Sequence, residues 1–243
     1  MQSTFVLVHG AWHGGWCYAR VAQRLTAAGH RVFTPTLTGL GERAHLYSRS
    51  INLTTHITDI TNVIKYERLE NVVLVGHSYG GMVVTGVADS IPEKIASLVY
   101  LDAFLPGDNQ SLHDLLPPET AQAQRDSATE RNAFSVPPIS AADFHVNEVD
   151  RSWVDSLCTP HPLATLTQRL RLTGGLKRIR NRTYVLATAG APPFNHFRDS
   201  IAADARWTTH ELPCGHDVMI DMPAETAALL AGARPAPVTG GTS

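Results

Sequence analysis

The segment Gly76-His77-Ser78-Tyr79-Gly80 has the residue types and spacing with the most chemical potential in the chain. A serine with glycines two positions away on either side can occupy a very tight turn from a strand into a helix, its hydroxyl held clear of the backbone. Gly76 and Gly80 are required because side chains there would collide across the turn. The pattern alone is weak, and its setting decides. Val72-Val73-Leu74-Val75 precedes it as a buried strand, and Gly81-Met82-Val83-Val84 continues it as a helix. Ser78 is the expected nucleophile.

A serine attacking a carbonyl needs hydrogen-bond donors for the oxyanion that forms. The run His9-Gly10-Ala11-Trp12-His13-Gly14-Gly15 follows the first strand, where such a loop belongs. The backbone N–H groups of Ala11 and Tyr79 are the expected donors. The bland alternative is a glycine turn that merely leads into the next helix. The base should come late, in a loop after the last strand. Of twelve histidines, His216 has that place, in Leu212-Pro213-Cys214-Gly215-His216-Asp217, with the small Gly215 before it. His145, His161, His196 and His210 have no comparable setting, and His77 is expected to shape the turn around Ser78.

Other chemistries are excluded. Gly10 to Gly15 has P-loop spacing, but Trp16 stands where lysine is required. His9 and His13 are four apart, yet the glycines between and after them argue against a helix that would align them on a metal. Cys17, Cys158 and Cys214 are odd in number and widely spaced, so neither a zinc site nor a disulfide framework is expected. Twenty basic against 22 acidic residues give a net charge of −2 without a basic stripe, which points away from nucleic acid and anionic membranes. No apolar run approaches a membrane span. Only three residues precede Thr4, leaving no room for a signal peptide, so a cytoplasmic, reducing location is expected.

The elements that must position these residues are legible as alternating strands and helices. Strands are expected at Thr4–Val8, Arg31–Pro35, Val72–Val75, Ala96–Leu101, Thr183–Thr188 and Trp207–Leu212, with helices at Trp16–Ala28, around Ile57 to Ile64, over Met82–Ala88 and from about Pro223. Strands apolar throughout imply a mostly parallel sheet covered by helices on both faces, an α/β architecture. The rhythm breaks over residues 105–180, rich in Pro, Asp, Gln and Ala. A structureless loop of that length is improbable in a compact domain, so a helical cap inserted between two core strands is expected. The core is then one discontinuous domain of residues 1–104 and 181–232, and residues 233–243 form a flexible tail.

The chain resembles the α/β-hydrolase superfamily and, within it, small esterases related to plant methylesterases and hydroxynitrile lyases. The resemblance rests on Val6-Leu7-Val8-His9-Gly10-Ala11, Val73 to Gly81, Leu98-Val99-Tyr100-Leu101-Asp102-Ala103-Phe104 and Gly215-His216. It implies hydrolysis through an acyl-enzyme with no metal or organic cofactor and a small-molecule substrate. In many relatives the acid of the triad follows the strand that here reads Tyr184 to Thr188, but Ala189 to Phe194 offers no carboxylate. The superfamily also places the acid after the strand that follows the nucleophile helix, where Asp102 sits. Asp102 is therefore the expected acid, with Asp199 and Asp217 in reserve and a turn-capping Asp as the plain alternative. Trp12, Tyr79, Phe104 and Leu105, with Phe134 and Trp153 of the cap, are candidates to line an apolar pocket. Small, largely apolar carboxylic esters are the expected substrates, with carbamates or amides as the alternative. A hydroxynitrile lyase of this kind implies a hydroxyl residue and a lysine where this chain has Gly10 and Asp217, and a non-catalytic binder would not need Ser78 with His216.

Overall fold

The computed structural model describes residues 2–130, 134–189 and 194–233. Its strands are β1 (Thr4–Val8), β2 (Arg31–Phe33), β3 (Val72–His77), β4 (Ile95–Leu101), β5 (Ser135–Val136), β6 (His161–Pro162), β7 (Arg182–Ala187) and β8 (Trp207–Leu212). The α-helices are α1 (Ala19–Ala27), α2 (Leu53–Tyr66), α3 (Gly80–Ser90), α4 (Pro118–Glu130), α5 (Arg151–Leu157), α6 (Leu163–Thr167), α7 (Asn195–Ile201), α8 (Val218–Asp221) and α9 (Pro223–Gly232). Six strands form one sheet in the order β2-β1-β3-β4-β7-β8, each pair parallel.

Successive side chains of a strand point to opposite faces, and the core divides accordingly. Val6, Val8, Leu74, Leu98, Tyr100, Tyr184 and Leu186 belong to one cluster, with α2 and α3 residues such as Ile60 and Val84. Phe5, Leu7, Val73, Val75, Val99, Leu101 and Val185 belong to the other, with Val21 and Leu25 of α1 and Leu230 of α9. Burial on both faces is why these strands read as unbroken apolar runs. Among the described residues no helix is long and apolar enough to cross a membrane.

The expected elements are present with shifted ends. The helix expected from Trp16 begins as a 3₁₀ turn at Gly15–Tyr18 and becomes α-helical only at Ala19. Between β4 and β7 the chain carries α4, α5 and α6 and, contrary to expectation, two short antiparallel strands, β5 and β6. Two-residue strands leave no alternation for a sequence to reveal. The expected tail lies, apart from Ala233, outside the described residues.

Candidate active site

From β1 the chain passes outward to β2, while β3 lies on the other side of β1. The order reverses there, and in open α/β sheets the crevice beyond the strand ends at such a point is where ligands bind. Three strand ends meet at this crevice, and each is followed by a non-glycine residue in the left-handed backbone region. They are Trp12 after β1 (φ 65°), Ser78 after β3 (φ 52°) and Asp102 after β4 (φ 41°). This conformation costs about 1–3 kcal/mol per residue and persists only where the surroundings impose it. At Ser78 they do. A Cβ on Gly76 would lie 2.7 Å from the Gly80 oxygen, and one on Gly80 would lie 2.7 Å from the Val8 oxygen. The Ser78 amide donates to Leu101 O (3.3 Å), and its carbonyl accepts from the Gly81 and Phe104 amides.

Asp102 and His216 form a tight, buried polar contact in the crevice. His216 Nδ1–H donates to Asp102 Oδ2 at 2.6 Å, and Asp102 Oδ1 accepts from the Ala187 amide at 3.1 Å. Asp102 is 1% and His216 5% exposed. With Nδ1 committed to the carboxylate, Nε2 is the ring nitrogen left for other work. The His216 amide donates to Phe144 O (2.9 Å), and its carbonyl accepts from His77 Nε2–H (3.0 Å). Gly215 makes the first of these possible, because a Cβ there would lie 2.2 Å from the His145 oxygen. His77 is thereby tied to the loop that carries His216.

The two reserve acids sit elsewhere. Asp199 is ion-paired with Arg198 at 2.6 Å. Asp217 is fully buried against His13, whose Nε2–H donates to its Oδ2 at 3.1 Å. His13 Nδ1 is also 2.8 Å from the Ala11 carbonyl. Facing an acceptor at both nitrogens, the His13 ring is a double donor and hence a cation. Burial opposes that charge, but Asp217 and the Ala11 carbonyl prevail and raise the His13 pKa. Burial likewise opposes the Asp217 carboxylate, and His13 followed by His77 holds its pKa well below the usual range. This ion pair joins the loop after β1 to the residue next to His216.

Ala11, Trp12, Ser78, Tyr79, Phe104 and His216 line one side of a cavity of about 220 Å³. The inserted segment supplies most of the rest, with Leu112, Leu116, Ile139, Phe144 and Leu166 as its apolar part and Thr120, Gln124 and Asp143 as its polar part. Neither the Ala11 nor the Tyr79 amide makes a hydrogen bond among the described residues. Of the pocket candidates, Trp12 and Phe104 line the cavity. The three other pocket candidates do not. Leu105 is half-buried against the larger core cluster. Phe134 lies on a separate surface depression with the Arg49 guanidinium 4.0 Å from its ring centre. Trp153 packs edge-on against Trp16, 5.2 Å between ring centres, beneath the other face of the sheet. Leu105 and Trp153 are held by packing, whereas Phe134 stays exposed at the surface.

Residues 5–229 match the model of the Alpha/beta hydrolase family. The chain belongs to that family. It is 49% identical over 239 residues to a carbendazim hydrolyzing esterase of Nocardioides sp. (strain SG-4G), covering 95% of this chain and 99% of the relative. It is 39% identical over 118 residues to Methylesterase 2 of Arabidopsis thaliana, covering 44% and 41% of the two. Among solved structures, an extracellular α/β-hydrolase from a Paenibacillus species superposes with a TM-score of 0.86 over 96% of this chain and 100% of that one, at 24% identity. A pyrethroid hydrolase from Sphingobium faniae JZ-2 superposes with a TM-score of 0.76 over 98% and 99%, at 22% identity. The chain is a hydrolase of the esterase type.

Sequence reasoning missed the aromatic collar of His216. Phe194 stacks on His216 (4.9 Å between ring centres, 22° between planes) and Phe144 tilts against it at 5.0 Å. Phe194 follows β7 and Phe144 lies in the insertion, and nothing in either run marks them as neighbours. The His13–Asp217 pair was equally hidden, although Asp217 adjoins His216. Among the described residues no group of three or more His, Cys, Asp or Glu side chains converges as a metal site.

Proposed function

We propose that this hydrolase is a serine esterase that cleaves small, largely apolar carboxylic esters through an acyl-enzyme, with Ser78 as nucleophile, His216 as base and Asp102 as acid. The observation that carries the reading is a serine in left-handed strain in the same apolar cavity as a histidine whose far nitrogen is held by a buried aspartate. His216 Nε2 takes the Ser78 proton as Oγ attacks the carbonyl, while Asp102 fixes the tautomer and stabilises the imidazolium. The unpaired amides of Ala11 and Tyr79 receive the oxyanion. His216 then protonates the departing alcohol and later activates water for deacylation.

Residues 105–180 act as the cap in this reading and set the shape of the acyl and alcohol sites. Supporting that role, the segment holds the loop after β1. Trp12 Nε1–H donates to Val136 O (3.0 Å), the Trp12 amide to His161 Nδ1 (3.3 Å), and the Thr159 amide to Trp12 O (2.8 Å). A reducing, cytoplasmic setting belongs to the same proposal and is supported by three free thiols at Cys17, Cys158 and Cys214. A second reading, carbamate cleavage by the same serine, is favoured by the full-length relative that hydrolyses carbendazim, a methyl carbamate.

Stopped-flow hydrolysis of p-nitrophenyl acetate and butyrate tests the acyl-enzyme. A burst of p-nitrophenol equal to the enzyme concentration, absent in Ser78→Ala, is expected. Linear release from the first turnover in both proteins, at equal rates, would contradict the proposal. Parallel assays of methyl esters, aryl carbamates and carbendazim rank the two substrate classes.

A further inference from the structure

The polar part of the cavity wall has a direction. Thr120 and Gln124 are four residues apart on α4 and so share the face that lines the cavity. The orientation of the Gln124 amide follows from its neighbours. Arg125 Nη1 lies 3.2 Å from His113 Nδ1. A guanidinium can only donate, so Nδ1 is the accepting nitrogen of His113 and the ring proton is on Nε2. His113 Nε2–H then donates to Gln124 Oε1 at 2.9 Å. Burial first, and then the Arg125 charge, lower the His113 pKa and keep the ring in the neutral state this requires. Gln124 thus turns its Oε1 toward His113. Its amide nitrogen, with two N–H groups, makes no hydrogen bond among the described residues. The neighbouring lining is largely apolar, through Leu112, Leu116 and Ile139. Asp143, in the same lining, disfavours a second negative charge there.

We infer that Gln124 is a specificity-determining residue whose N–H groups bind a neutral hydrogen-bond acceptor on the substrate, remote from the scissile carbonyl. The preferred substrates are then esters whose apolar body carries a ring nitrogen or carbonyl oxygen, in preference to pure hydrocarbon esters and to anionic ones. This rests on the esterase reading for the place of the scissile bond, while the recognition itself needs no turnover. His113 and Arg125 act on the substrate only through Gln124 and are positioning residues.

Binding in a protein that cannot turn over separates the two claims. Calorimetric titration of Ser78→Ala at pH 7.5 with methyl 2-naphthoate and the isosteric methyl quinoline-carboxylates compares C–H with ring nitrogen at each position. At least one quinoline isomer is expected to bind about tenfold more tightly than the naphthoate, the worth of one well-made hydrogen bond. In Ser78→Ala/Gln124→Leu the ratio should fall to about one. Gln124→Glu, which keeps an oxygen for His113 but has no N–H to offer, should collapse it in the same way in a side chain of equal size. His113→Leu, which frees the amide to rotate, should reduce the ratio without abolishing it. The inference is overturned if no isomer binds more tightly than the naphthoate, or if the preference survives both Gln124 substitutions. Failure of the wild-type enzyme to hydrolyse these esters while the binding ratio holds would count against the esterase reading alone.

Discussion

At the strand ends on the sheet side of the cavity, Trp12, Ser78 and Asp102 are set by backbone geometry, whereas on the side formed by the inserted segment polar groups are oriented by other side chains. Trp12, Ser78 and Asp102 each leave a strand in left-handed strain, and the Ser78 backbone is tied to β4 and the chain beyond it at both amide and carbonyl. Gln124, by contrast, is oriented by His113 and Arg125, and Asp143 by the Ser140 hydroxyl at 2.6 Å. Backbone geometry tolerates almost no substitution and suits chemistry that fails with small misplacements. Side-chain networks can be rebuilt one residue at a time and suit the selection of substrates. Under the proposed mechanism, turnover belongs to the first region and substrate ranking to the second.

The sharpest way to break that division is to remove the base. His216→Ala should lose on the order of 10⁶ in turnover, as expected of residues that act as a unit. A variant keeping a tenth of its activity would move the base to another histidine. Asp102→Asn comes next, with a loss of roughly 10⁴ in kcat from the wrong imidazole tautomer. Asp199→Asn should stay within a few-fold of wild type, since the Asp199 carboxylate pairs with Arg198 and not with His216 among the described residues. Asp217→Asn sharpens the point differently. It removes the counter-charge of a buried cation, so it should lower the unfolding free energy by about 3–5 kcal/mol in urea titrations. An unchanged urea midpoint would mean that His13 carries no charge.

The sheet side was legible because its constraints are local. Glycine spacing around Ser78, an apolar run before it and a glycine before His216 each state a backbone requirement at the position where it acts. Asp102 needed more than local pattern, since its role depends on β4 lying beside β3, and the resemblance to known hydrolases supplied that neighbour. The insertion was legible only as an interruption. Phe144 meets His216 across a separation of 72 residues, and Leu112 to Gln124 reach the cavity through a fold that no period in the sequence encodes. The pocket candidates show the same limit. Trp12 and Phe104, next to strand ends, are in the cavity; Phe134 and Trp153, chosen from the insertion for being aromatic, are not.

The buried histidines predict how pH acts on the fold. Burial lowers His9 to about 3 and His56 to about 4, and it also lowers His77 and His161, from the ordinary value of 6.5. Below pH 6.5 the unfolded chain therefore binds protons that the folded chain refuses. Stability should fall as pH drops from 7 to 5, by up to about 1.4 kcal/mol per unit for each such group. His13 works the other way. Its raised pKa contributes stability that is complete below 6.5 and lost as pH rises through the folded value. These four, with His113 lowered in the same direction, outnumber His13 and set the net direction, and urea unfolding at pH 7 and pH 5 measures it. On the insertion side the effects should be smallest. Leu116→Ala should raise KM for short esters a few-fold at nearly constant kcat, by removing part of one apolar contact. A large fall in kcat instead would show that this wall also takes part in the chemistry.

Covalent capture of the serine tests the central claim most directly. A fluorophosphonate should add one equivalent to the intact protein, and peptide mass spectrometry should place it on Ser78, because only an activated hydroxyl beside His216 is phosphonylated quickly. Ser78→Ala should take up none over the same interval, and Asp102→Asn should react several orders of magnitude more slowly. Stoichiometric labelling of Ser78→Ala, or an adduct found on any other residue of the wild-type enzyme, would contradict the account.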